Sequence, residues 1–478
     1  MQQDLFGELM KKGKAFTHLL VLTILLHAHT TLSQKDIPDE DVWITIFIHG
    51  TLSAILRRPN ISVLINLIRD NIEKTKYKRA TKHVRNSPHV SKEQAIQGLG
   101  LHKIKKSDTG PGKAATALAL IFDQLDEWLN KRKNNHNHYY TYGWSGLVSQ
   151  KARYEEAKRF YKELTQEIAQ FQKKGIDPKI RIVGYSHGGN MGLCLASVQE
   201  KENMKKKLSI DELILLGTPN HNHVVKKICH PMFKKVYNIC SKSDAVQTLD
   251  FTLPGTIFSK RWFASTKKRP LPKKLTQIEL KMLRNRTTKK RWEKNKDPRR
   301  KTEKAVFLNG KANLLRNISP AHSELWFFNW VRIGYRKHLP LSPLPAVAML
   351  PIILKESKNC TTCGEKHQII ELRPEHEIMV INDGKGRFIR PLLSTKKLNK
   401  LKKLANSFAT KRQTQEEYEK IIKSALHKAA QEIRQEKIKK LSNADLIPQI
   451  EKVFHRQLLS ALTEYCFRND RTVKVCLL

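Results

Sequence analysis

The chain has 478 residues, 40% of them hydrophobic, and carries 89 Lys+Arg against 44 Asp+Glu for a formal charge of +45. That length and apolar content exclude a disordered chain and leave room for one large domain with additions, and seven cysteines in so long a chain exclude a disulfide-dense scaffold. The positive excess suits polyanions such as anionic lipid headgroups, nucleic acids or acidic proteins, although lysines spread through nearly every polar stretch also fit a surface that is merely basic.

The first expectation is an export signal over residues 1–33. From Met10 the chain reads Met-Lys-Lys-Gly-Lys, then an apolar run of about 11 residues from Phe16 to Leu26, then small and polar residues through Thr31 and Ser33. The run is short for a membrane span, which needs about 20 residues. The acidic start, Met1 to Glu8, is unusual for such a signal and suggests that translation begins at Met10. The other readings are an amphipathic helix or an uncleaved anchor.

From about 41 to 339, short β-branched apolar runs alternate with helical patterns, as in a sheet covered by helices. Val42 to Ile48 is an apolar strand that ends in His49-Gly50-Thr51. Residues 72–109 are basic and read as a surface insertion. Lys179 to Val183 is another short strand, followed directly by Gly184-Tyr185-Ser186-His187-Gly188-Gly189 and a helical pattern through Ala196. A serine placed on so sharp a strand-to-helix turn projects above the sheet, and Gly184 and Gly188 give the chain room to pass. The backbone N–H groups of Thr51 and His187 are then the expected donors to an oxyanion.

Two further strands follow, Glu212 to Leu216 and Lys235 to Cys240, and the second leads to Asp244. A triad acid belongs just past a strand end, so Asp244 is preferred over Asp250. Residues 260–304 hold 19 basic and 4 acidic residues and read as a second surface insertion. His322 comes later, ahead of an apparent amphipathic helix containing Trp326, Phe327 and Trp330. Among 19 histidines its position in the order Ser, Asp, His singles it out.

Residues 340–391 read as a linker and a small β-hairpin unit, with Ile369 to Leu372 and Glu377 to Ile389 extended and a turn at Asn382-Asp383-Gly384. Cys360 and Cys363, with His367 close behind, make three-quarters of a zinc site without a clear fourth ligand, so a disulfide or free thiols is the preferred reading. Residues 392–478 show apolar residues at helical spacing among Lys, Glu and Gln, which predicts a basic helical extension.

Taken in order, the His49-Gly50 loop, the Gly184 to Gly188 elbow, Leu216-Gly217-Thr218-Pro219, the Asp244 loop and Ala321-His322-Ser323 resemble an α/β-hydrolase of the lipase and esterase kind. Tyr142-Gly143-Trp144-Ser145-Gly146 is similar to a post-strand motif of some bacterial members. The resemblance implies an α/β fold with a mostly parallel central sheet. It also implies attack by Ser186 as His322 accepts its proton, an acyl-enzyme hydrolysed by water, and no metal or organic cofactor. The expected substrate is a carboxylic ester, lipid in type, met at an anionic membrane surface. An acyltransferase or peptidase with the same triad stays open, as does a hydrolase scaffold turned to binding. Nucleic acid is not the expected partner, since no motif for it appears and the basic stretches lack interleaved aromatics.

Overall fold

The computed structural model describes residues 41–52, 70, 72, 75–85, 87–130, 136–204, 206–221, 225–244, 246–253, 256–265, 270–286, 303–308, 311–330, 340–359, 366–410 and 415–435. The expected export signal, Cys360, Cys363 and residues 436–478 lie outside them. In chain order the strands are β1 (Trp43–Ile48), β2 (Gly100–Lys103), β3 (Asn137–Gly143), β4 (Lys179–Tyr185), β5 (Ile210–Leu216), β6 (Phe233–Cys240), β7 (Leu249–Leu253), β8 (Thr256–Phe258), β9 (Leu275–Arg286), β10 (Glu303–Leu308), β11 (Lys311–Ile318), β12 (Lys366–Arg373), β13 (Ile378–Asn382) and β14 (Arg387–Pro391). The longer helices are α1 (Lys76–Arg85), α2 (Ala114–Asn130), α3 (Gln150–Gln172), α4 (His187–Lys201), α5 (Leu350–Asn359), α6 (Thr395–Ser407) and α7 (Gln415–Gln435).

Twelve strands form one open sheet in the order β14-β13-β12-β9-β6-β5-β4-β1-β3-β2, with β10 and β11 continuing from β9. From β12 across to β3 every pairing is parallel, and antiparallel strands close both edges. Parallel strands buried on both faces need apolar side chains on both, which is why β1 and β5 read as near-continuous apolar runs. Alternation then sorts the two faces. Phe47, Val183, Ile214 and Ile239 join a core with residues of α2, α5 and α6. Ile182 and Leu213 face α4 at Gly192, where a Cβ would stand 2.9 Å from Leu213 Cδ1 and 3.5 Å from Ile182 Cγ2.

Three expectations need correcting. Residues 260–304 are not only a surface excursion, because β9 lies within them and fills the sheet between β6 and β12, burying Leu275, Ile278, Leu280 and Met282. Residues 72–109 supply the edge strand β2 and bury Ala95, Ile96 and Ile104, while Ala80 and Val84 of α1 pack on Ala425 and Ala429 of α7. The region after 339 is also no appendage: β12 pairs with β9, and Leu350, Ile353, Leu398 and Leu401 belong to the same core as Phe47. The apolar segment from Leu341 to Leu354 is buried inside the protein. No described helix is long and apolar enough to cross a membrane.

Candidate active site

In a parallel sheet the strand ends carry the loops that can meet around a ligand, and the sequence candidates lie in the loops after β1, β4, β6 and β11. Ser186 sits between β4 and α4 with φ 52° and ψ −129°. A non-glycine residue there carries strain of order 1–3 kcal/mol, which the surrounding structure must hold in place. Its backbone N–H donates to the Leu216 carbonyl at 2.8 Å, and its own carbonyl accepts from Gly189 N–H at 3.0 Å. The elbow glycines are required by contact. A Cβ on Gly184 would lie 2.5 Å from the Gly189 Cα, and one on Gly188 would lie 2.5 Å from both the Ile48 and His49 carbonyl oxygens.

His322 and Asp244 meet directly, the ring Nδ1 lying 2.7 Å from the carboxylate Oδ2. Asp244 is fully buried, and its other oxygen accepts the Gln247 N–H at 2.9 Å. The guanidinium of Arg261 donates twice to the Asp244 backbone carbonyl, at 3.1 and 2.9 Å. The Ser241 hydroxyl donates to the Pro320 carbonyl at 2.5 Å and so ties the end of β6 to the loop that carries His322. Gly217 backs the pair, since a Cβ on it would stand 3.0 Å from Asp244 Oδ2 and 3.3 Å from His322 Nδ1. Asp250, the rival acid, lies instead in β7.

Tyr185, the residue before Ser186, links the nucleophile candidate to the base candidate. Its ring lies 4.7 Å from that of His322 and stacks on Trp326 at 5.2 Å. Its hydroxyl donates to the His322 carbonyl at 3.1 Å. This aromatic contact, rather than a direct hydroxyl–imidazole bond, joins Ser186 to His322 among the described residues; such bonds often tighten only when substrate is bound. The expected helix after His322 is a short 3-10 turn, His322–Leu325, and Trp326 and Phe328 are buried in the core instead of forming a helical face.

Of the two expected oxyanion donors, Thr51 lies in the loop after β1 and His187 is the first residue of α4. Gly50 is packed on Ser186, where a Cβ would lie 2.9 Å from the serine Cβ. The sequence did not reveal what holds this loop. His49 is fully buried and its ring spans two backbones, with Nδ1 2.7 Å from the Gly50 carbonyl and Nε2 accepting the Trp144 N–H at 3.2 Å. Burial lowers its pKa to about 4. The Gly143-Trp144-Ser145-Gly146 motif was the available signal, but nothing in the sequence pairs it with His49.

This arrangement can perform nucleophilic acyl transfer: a hydroxyl on a strained turn, a histidine held by a buried carboxylate, and backbone amides nearby. Residues 116–253 match the family model described as lipase (class 3). That span includes Ser186 and Asp244, while Thr51 and His322 fall outside it. No curated protein matches the chain.

Proposed function

This chain carries a lipase domain of the α/β-hydrolase superfamily, and from that premise we propose that it hydrolyses carboxylic esters of lipid type through Ser186, His322 and Asp244. The observation that supports this best is the 2.7 Å contact of His322 Nδ1 with the buried Asp244, beside a serine held at φ 52°. In the proposed cycle His322 takes the Ser186 proton as Oγ attacks the ester carbonyl, and the N–H groups of Thr51 and His187 receive the negative charge. The C–O bond to the alcohol then breaks as His322 returns the proton to it. Water, deprotonated by the same ring, frees the acid from Ser186.

The charge of +45 supports a peripheral encounter with anionic membrane, where each basic side chain near the surface contributes about 1 kcal/mol. The basic stretch from Met10 to Lys14 and the apolar run before Ser33 support export, and N-terminal sequencing of the mature protein tests that part. Labelling with a fluorophosphonate tests the chemistry. The wild type should react at one serine and Ser186→Ala at none; equal labelling of both would remove Ser186 from the mechanism. Graded p-nitrophenyl esters should then show a preference for long over short acyl chains.

A further inference from the structure

We infer that His49, held as its neutral Nδ1–H tautomer, is a positioning residue that orients the Gly50–Thr51 peptide and with it the Thr51 N–H aimed at the oxyanion. The inference rests on the reading of Ser186 as nucleophile.

The ring uses its two nitrogens on backbone groups of opposite kind. The Gly50 carbonyl, 2.7 Å from Nδ1, can only accept, so Nδ1 carries a proton. The Trp144 amide, 3.2 Å from Nε2, can only donate, so Nε2 presents its lone pair. Imidazolium would set a proton against the Trp144 N–H, and the other neutral tautomer would fail both partners. Complete burial acts the same way by disfavouring the charged ring, and the positive charge of Arg85 adds to the effect.

Peptide geometry carries this to the donor. The Gly50 carbonyl and the Thr51 N–H belong to one planar trans unit and point in opposite directions, so a bond that fixes the first fixes the second. The loop is held from two other sides, by Trp144 Nε1 donating to the His49 carbonyl at 2.8 Å and Leu52 N–H donating to the Gly146 carbonyl at 3.0 Å. Ring stacking of His49 with Trp144, at 5.7 Å, leaves the imidazole little freedom to turn. A donor fixed beforehand stabilises charge that appears only after attack, so its loss belongs to the transition state and not to substrate binding.

Three variants separate this role from packing. Asparagine can place an N–H near the Nδ1 position and glutamine only near Nε2, while alanine replaces neither. His49→Ala and His49→Gln should lower kcat about 10- to 100-fold with KM changed less than about twofold. Both should weaken a boronic acid that forms the tetrahedral adduct by the same factor as kcat/KM, and His49→Asn should recover to within about fivefold of wild type. Equal impairment of the asparagine and glutamine variants, a loss confined to KM, or unchanged inhibitor affinity would overturn the role. Fluorophosphonate labelling run alongside keeps the two readings apart: labelling that survives Ser186→Ala sinks the nucleophile, whereas Ser186-dependent labelling with fully active His49 variants sinks only the inference. If the variants do not fold, long-range nitrogen–proton NMR of the wild type decides, because a His49 ring found as Nε2–H, or protonated at about pH 6, is incompatible with the role.

Discussion

At Asp244 two tasks fall to two oxygens: Oδ1 anchors the carboxylate to the Gln247 amide, and Oδ2 faces His322 Nδ1. Asp244→Asn keeps the shape but offers the ring an amide that can donate, which favours the wrong tautomer. It should lower kcat by about 10⁴-fold with little change in KM, measured on a p-nitrophenyl ester. Tyr185→Phe removes the bond to the His322 carbonyl and keeps the ring stack, so a loss of about fivefold in kcat is expected, against a larger one for Tyr185→Leu. The candidate residues themselves were legible because each follows a strand in sequence. Their supports were not: Arg261, Tyr185 and Trp144 act through contacts with residues distant in sequence, which no local pattern encodes.

Among elements, α4 approaches β1 closely where Gly188 meets the Ile48 and His49 carbonyls. Gly188→Ala must push these apart and should cost about 2 kcal/mol in urea unfolding, with activity falling because the loop bearing Thr51 moves with β1. Between β4, β5 and α5, the buried Glu212 is held by Arg181 and Lys358, each at 2.6 Å. Arg181→Met leaves that carboxylate with one partner and should destabilise by about 3 kcal/mol, a deficit that adding Glu212→Leu largely repairs. β4 and β5 were readable because their apolar runs stand out. β9 was not, because its alternation is short, with Ile278, Leu280 and Met282 apolar around Glu279 and Lys281 before Arg284 breaks the phase, and lysine-rich stretches flank it. β2 is four residues long with a single large apolar side chain, too little pattern to see. α6 was recognisable as a helix, but its burial against α2 depends on a partner far upstream.

For the whole molecule, the buried His49 and the half-buried His138 both act to lower stability in acid. His49 and His138 both have their pKa lowered to about 4, mainly by burial. Unfolding raises them to the ordinary value, so their contribution is complete above about pH 6.5 and is lost as the pH falls from there towards 4. For His49 alone the loss is about 3 kcal/mol, to be read from urea midpoints between these limits. The net charge predicts that vesicles rich in anionic lipid sediment the protein, that neutral vesicles do not, and that raising salt from about 0.05 to 0.5 M releases it.

The place of β9 between β6 and β12 bears on how the protein is made. A chain emerging from the ribosome has its serine, its aspartate and its histidine in hand before residue 366 appears. Until β12 and α6 follow, β9 lacks one neighbour and the apolar face beneath α2 is uncovered. Nascent chains stalled in that interval should be sticky and should depend on chaperones. A gene cut at residue 339 should likewise yield aggregate instead of a smaller enzyme, even though the stop would fall after every residue assigned to the chemistry.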